Sequence, residues 1–238
     1  KVALGVANQR VIVRQVDLPW MPEKELKTSL GFQAQDFLPM PVDQAVLDFH
    51  AISEVTEPGQ PRMLRGLLVA AVREMLMSNV RATERAGLTV TGVDLTPFAV
   101  LRALGDFSAA ADETVALVDV GARVTNIVVH QAGVPLFVRI LLMGGQDVTD
   151  AVADRLGVPQ SHAEALKQNP QSGGYNHDEL VNAGRAVETT AAALVDEIRG
   201  SLDYFASSSA TGAPQRLVLT GGGSRLTGLA ERLEASTR

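Results

Sequence analysis

An apolar run from Thr114 to Val118 ends in Asp119-Val120-Gly121, and a β-branched run from Val124 to Val129 follows at once. Runs of this kind predict two strands, with the glycine letting the chain reverse tightly between them. A carboxylate is thereby held at a strand end beside backbone N–H groups. That combination suits a magnesium–phosphate ligand, the amides facing the anion and the carboxylate facing the cation or its water shell. Standing alone, an Asp beside a Gly in a hairpin is more often plain turn chemistry.

A second glycine loop changes the balance. Residues 216–220 read as a strand, Gly221-Gly222-Gly223 follows, and a helix is expected over residues 224–235 with Ser224 as its N-cap. Three glycines in a row remove every Cβ from the loop, so that a flat ligand or a phosphate can approach the backbone. A flexible strand-to-helix turn accounts for one such glycine and poorly for three.

In this order, and with what lies between them, the two loops resemble the actin-like ATPase superfamily. Within it they resemble the PilM family of type IV pilus assembly. The segments that carry the likeness are Val13-Arg14-Gln15-Val16-Asp17-Leu18-Pro19, Phe37-Leu38-Pro39-Met40-Pro41 and the stretch from Gly92 to Leu104. Asp119-Val120-Gly121, Gly144-Gly145-Gln146-Asp147-Val148-Thr149, Glu197-Ile198-Arg199-Gly200-Ser201-Leu202 and Gly221-Gly222-Gly223-Ser224 complete the set.

The resemblance implies an α/β, actin-like ATPase fold of two lobes with mixed sheets. Residues 1–16 and 95–118 would form the remainder of the first lobe (1A) with a hinge helix. Residues 17–94 would form a small α+β insert of the PilM/FtsA type (1C), and residues 119–238 the second lobe (2A/2B). ATP with Mg²⁺ would lie between the lobes. By the same resemblance Asp119 would act on Mg²⁺ through water, and Gly121 and Thr125 would frame the phosphate tail. Gly145, Glu197 and the glycines Gly221, Gly222 and Gly223 would frame the nucleoside. The implied partners are the N-terminal cytoplasmic tail of a PilN-like inner-membrane protein, held near 1C, and other pilus platform and motor proteins. The implied location is cytoplasmic and peripheral at the inner membrane, through that partner.

Two departures from the family pattern matter. Lys1 already opens a strand, whereas the family places a first phosphate loop of Asp-x-Gly type before it, so the expected fold is N-terminally incomplete. Each hydrogen bond to a charged oxygen is worth ~1.5–3 kcal/mol, and losing several would take a micromolar site to millimolar or weaker. The chain as it stands is therefore expected to be empty of nucleotide. Where actin-type proteins carry a water-orienting glutamine, Phe98 or a neighbour stands here, so at most a weak ATPase is expected. The alternative is a small-molecule kinase on the same core. It needs a base for the acceptor hydroxyl; Asp94 is the only acid near a strand end in that half, and turn chemistry explains it.

Composition closes off other classes. There are 0 cysteines, which excludes disulfides and thiolate metal sites. A net charge of -6 without a basic block gives nucleic acid no electrostatic hold. No apolar run reaches the ~18–20 residues of a membrane span. His50, His130, His162 and His177 have no metal-ligand spacing, and no Ser/His/Asp arrangement can be argued. The triple glycine sits too near the C-terminal end for a dinucleotide fingerprint, which would follow the first strand of a βαβ unit.

The remaining pattern predicts strands over residues 2–6 and 10–16 as a hairpin, 45–52, 67–72, 88–95 and 134–142. Helices are expected from Glu23 to about Phe37, over 74–86 and 97–104, from Gly144-Gly145 onward, and over 161–167 and 185–208. The first would bury Leu26, Leu30, Ala34 and Phe37, the third Phe98, Leu101 and Leu104. Trp20, between Pro19 and Pro22, is expected at a buried edge, and Met75 and Met77 as packing filler.

Overall fold

The computed structural model describes residues 1–105, 112–171 and 174–237. The Ala/Asp-rich stretch from Ser108 to Glu113, which reads in the sequence as a linker, falls mostly outside them. The chain divides into two compact units: Lys1–Glu113 with Val128–Arg139, and Thr114–Ile127 with Ile140–Arg238.

In the first unit, β1 (Val2–Val6) pairs in parallel with β5 (Val90–Leu95). The strand β2 (Val11–Pro19) instead joins an antiparallel sheet of order β2-β4-β3, with β3 (Ala45–Val55) and β4 (Met63–Val72). The expected β1–β2 hairpin is therefore absent. The two strands are adjacent in sequence but belong to different sheets, because residues 63–72 supply an apolar strand able to pair along all of β2. Two helices, α1 (Glu23–Ala34) and α2 (Arg73–Arg85), accompany these sheets.

Apolar residues at helical spacing put Leu26, Leu30 and Ala34 of α1 against Val16, Leu18 and Leu68 of the three-stranded sheet. Burying a leucine of this kind is worth ~1.5–3 kcal/mol. Phe37 and Leu38 pack at the rim of that cluster. No residue of α2 is buried, and its Met77 is exposed. The helix α3 (Thr96–Leu104) buries Pro97 and Leu101 but leaves Leu104 exposed, contrary to the expected inward triplet. Phe98 is half-buried, with its ring 5.6 Å from that of His50.

Trp20 is 41% exposed rather than buried. Its Nε1 donates to Glu54 Oε1 at 3.0 Å, and the Arg62 guanidinium lies 4.3 Å from the ring centroid. Arg65 makes a bidentate pair with Asp17 across β2 and β4, Nε to Oδ1 at 2.8 Å and Nη2 to Oδ2 at 2.7 Å. The strands β7 (Thr125–Gln131) and β8 (Val134–Leu141) are neighbours joined by Ala132 and Gly133, both at positive φ, as a tight hairpin turn demands.

In the second unit, β6 (Thr114–Val120) is buried along its length except at Asp119. Such a continuous apolar run is the signature of a strand covered on both faces. It pairs in parallel with β9 (Arg216–Thr220). Helices α4 (Gly145–Leu156), α5 (Gln160–Gln168), α6 (His177–Ser208) and α7 (Leu229–Ser236) complete the unit. Val152, Ala153, Ala163, Leu166, Ala183 and Ala186 form the core shared by α4, α5 and α6.

The helix α6 begins eight residues earlier than its apolar spacing suggests. Asn176 caps it, accepting from the Glu179 N–H at 2.9 Å while Glu179 Oε2 accepts from the Asn176 N–H at 2.9 Å. The helix expected at Ser224 begins instead at Leu229, after a 3-10 turn over Gly222–Arg225. Ser224 does not cap a helix: its Oγ donates back to the Gly221 carbonyl at 2.6 Å.

Candidate functional site

Parallel pairing is what brings the two glycine loops together. Asp119 is the register partner of Thr220, so both strands end at the same level and their loops leave the sheet side by side. The carboxyl ends of parallel strands are where α/β folds place ligands. Gly221 has φ 84°, and a Cβ there would lie 2.4 Å from the Val120 carbonyl oxygen and 2.5 Å from Asp119 Oδ1. A Cβ on Gly223 would lie 2.3 Å from Val120 Cγ1. These two glycines let the loop press against β6. Only Gly222 faces open space, with nothing within 4 Å of an added Cβ.

A third loop joins them at the start of α4. The Gly145 N–H donates to the Gly121 carbonyl at 2.9 Å, and the Gln146 N–H to the Ala122 carbonyl at 2.6 Å. Gly144 is needed for that approach, since a Cβ would meet the same two carbonyl oxygens at 2.5 and 2.6 Å. Asp147 accepts from the Gly144 N–H at 2.8 Å, so it serves the helix start as a local cap. The first donors of α4 are thus spent on the Asp119 loop. Gly121's own N–H donates to the Val124 carbonyl at 3.0 Å.

The side wall comes from α5. Lys167 Nζ donates to the Gly145 carbonyl at 2.9 Å, to Thr149 Oγ1 at 2.8 Å and to Glu164 Oε2 at 2.7 Å. These three bonds use all three ammonium donors. Burial pushes the Glu164 carboxyl up, but hydrogen bonds from Lys167, Thr149 and Gln168 outweigh it. They hold the group below the usual carboxylate range.

The three loops and α5 enclose a cavity of about 460 Å³, all of it within the second unit. Ligand pockets commonly span ~300–1,000 Å³. Of the residues named from the sequence, Gly121, Gly145, Gly222 and Gly223 line it. Asp119 lies beneath the loop, half-buried, accepting from Asn126 Nδ2 at 3.2 Å. Gly221 makes the turn above Asp119. Thr125 is fully buried, and its hydroxyl donates to the Met143 carbonyl at 2.8 Å. Glu197 is exposed on α6 and is not among the lining residues.

Sequence reasoning missed Gln146, Glu164, Lys167, Gln168 and Arg225, which also line the cavity. The i,i+3 pair Glu164–Lys167 was the available signal, yet on a short helix it reads as an ordinary exposed face. Arg225 is exposed at the rim and has no ion pair among the described residues, so the lining carries one uncompensated positive charge.

The donor set fits a nucleotide better than a caged metal. Among the described residues no group of three or more His, Cys, Asp or Glu could hold a metal ion. A Mg²⁺ here would rely on one carboxylate, water and phosphate oxygens, its usual habit. The space beside Gly145 is a cradle that a side chain would fill. An added Cβ would sit 3.6 Å from Lys167 Nζ and 4.0 Å from Gly223 Cα.

The family model described as the type IV pilus assembly protein PilM matches residues 1–238. The chain belongs to the PilM family. A solved PilM–PilN type IV pilus biogenesis complex is similar at 28% identity and a TM-score of 0.84, over 99% of this chain and 66% of that one. The cell division protein FtsA of Bacillus subtilis (strain 168) is 31% identical over 133 residues, 53% of this chain and 29% of FtsA. The ethanolamine utilization protein EutJ from Carboxydothermus hydrogenoformans is 21% identical over 66% of this chain and 52% of that one, with a TM-score of 0.45. This PilM-family chain thus spans less than two thirds of the length of its relatives. Its fold is the α/β, mixed-sheet fold of actin-like proteins. Among the described residues no helix is long and apolar enough to cross a membrane.

Proposed function

We propose that this PilM-family chain is a nucleotide-binding scaffold of type IV pilus assembly. It takes ATP with Mg²⁺ in the cavity of its second unit and docks the cytoplasmic tail of a PilN-like inner-membrane protein. The observation that carries the nucleotide reading is the register of β6 and β9, which sets Asp119 directly beneath the Gly221–Gly222–Gly223 turn. Gly222 leaves backbone open to a flat ligand, with Gly121 and Gly223 beside it in the lining, and Gly145 leaves room between α4, Lys167 and the triple-glycine loop. Asp119 serves as a partner for hydrated Mg²⁺, with Thr125 supporting its loop through the bond to the Met143 carbonyl. The partner reading rests on the similarity to the PilM–PilN complex.

Isothermal titration of the chain with MgATP, carried well past the millimolar affinity that loss of a phosphate loop implies, tests the nucleotide reading. Saturable heat is expected, lost in Asp119→Ala and kept in Glu23→Ala, since Glu23 lies exposed on α1 in the other unit. Equal heats for the two variants, or none for the unmodified chain, would sink the assignment. A peptide matching the N-terminal tail of a PilN-like protein should bind the same preparation; failure to do so removes the partner reading alone.

A further inference from the structure

Asn126 is 3% exposed on β7, and its Nδ2 donates to Asp119 Oδ2 at 3.2 Å. A carboxylate only accepts, so the amide nitrogen must be the atom turned toward it. The position of Oδ1 follows. That oxygen is buried and accepts no hydrogen bond among the described residues. Buried carbonyl oxygens in folded proteins are almost always paired, so an orphan acceptor calls for a donor. Its neighbour calls for the same thing, because among the described residues the Asp119 carboxylate receives only the Asn126 amide. A Cβ added to Gly221 would fall 2.5 Å from Asp119 Oδ1, which places the carboxylate against the floor of the triple-glycine turn.

Two acceptors that lack donors on neighbouring side chains, one charged and one neutral, match the hydration shell of a divalent cation. Its waters are strong donors, and Mg²⁺ keeps several of them when bound. We propose that Asn126 is a positioning residue for a hydrated divalent cation: Nδ2 fixes Asp119, and Oδ1 accepts from cation-bound water. This rests on the nucleotide reading above and names the residue that gives the site its metal dependence. A carboxamide suits the place because a second carboxylate would repel Asp119 whenever the cation leaves.

The test uses the whole chain and titrates ADP in MgCl₂ and in EDTA, alongside thermal midpoints in both. In the unmodified chain Mg²⁺ should raise ADP affinity at least tenfold. Asn126→Leu should keep its affinity in EDTA within about twofold and lose most of the Mg²⁺ gain. Asn126→Asp, nearly the same shape, should melt lower in EDTA and recover more of its midpoint on adding Mg²⁺ than the unmodified chain does. If both variants keep the full Mg²⁺ gain, or lose affinity equally with and without the metal, Asn126 is a structural amide and the proposal is overturned. If no ADP binds under either condition, the nucleotide reading fails and takes this one with it, an outcome the EDTA arm separates from the others.

Discussion

The Lys167 ammonium donates to the Gly145 carbonyl at 2.9 Å, tying α5 to the first residue of α4 across the cavity. The same ammonium holds Thr149, one turn further along α4, and Glu164 on its own helix. With its donors spent inside the protein, Lys167 works as a brace for the cavity wall. The uncompensated charge that a ligand would meet is that of Arg225.

Lys167→Met should destabilise the chain. It removes three bonds and leaves the Glu164 carboxylate partly buried without its cation. Hydrogen bonds to charged groups are worth ~1.5–3 kcal/mol and broken pairs cost more when buried, so ~2–3 kcal/mol is expected at this half-open site. At ~2–4 °C per kcal/mol for a chain of this size, the thermal midpoint should fall by about 4–12 °C. Glu164→Gln alone should cost less, and the double variant should fall short of the sum because the two groups share bonds. Strict additivity would show that the brace is not a unit.

Much of this arrangement was legible in the sequence, and the reasons for the rest are specific. Asp119 and the triple glycine stood out because each ends an apolar run, and their adjacency followed once β6 and β9 paired in parallel. The roles within the loop did not. Gly221 and Gly223 read as open backbone, yet their missing Cβ atoms make room for Val120 and Asp119. Lys167, Glu164 and Arg225 carried no local mark, since a charged residue on a short helix or turn looks the same whether it faces solvent or a cavity. The β1–β2 hairpin failed because turn chemistry at Asn8 is local, while pairing was decided by β4 and β5, more than fifty residues on.

Stability should depend on pH through Asp17. The Arg65 hydrogen bonds hold its carboxyl below the usual range, and the attraction of the charge adds to them against a burial effect that pushes the other way. A group whose folded value is depressed contributes stability that is complete above its unfolded value, ~3.9 for Asp, and is lost as pH falls through the lower folded value. Chemical denaturation between pH 7 and pH 2.5 should show the gap between the unmodified chain and Asp17→Asn narrowing below about pH 4. A gap that stays constant over that range would exclude the pair as its source.

Trp20 is the chain's single tryptophan, which makes its surroundings readable by fluorescence. Arg62→Ala should remove a contact worth ~0.5–1 kcal/mol at an exposed site and change the emission of Trp20. Phe32→Ala, at a residue 81% exposed on α1, should leave that emission unchanged. An identical spectrum in Arg62→Ala would mean the guanidinium does not rest on the ring in solution.

The glycines of the 221–223 turn should separate folding from binding. Gly221→Ala forces a Cβ into a positive-φ position against the Val120 carbonyl, and Gly223→Ala drives one into the Val120 side chain. Strain of this kind costs ~1–3 kcal/mol per site, so both variants should melt lower by several degrees whether or not nucleotide is present. Gly222→Ala adds its methyl to open space and should melt within about a degree of the unmodified chain. Enlarging the side chain to Gly222→Leu should keep the midpoint but weaken nucleotide binding, because the added atoms enter the volume that Gly145 and Gly223 also border. Melting curves and ADP titrations on all four variants read the two effects independently. Full ADP affinity in Gly222→Leu would place the ligand elsewhere than against this turn.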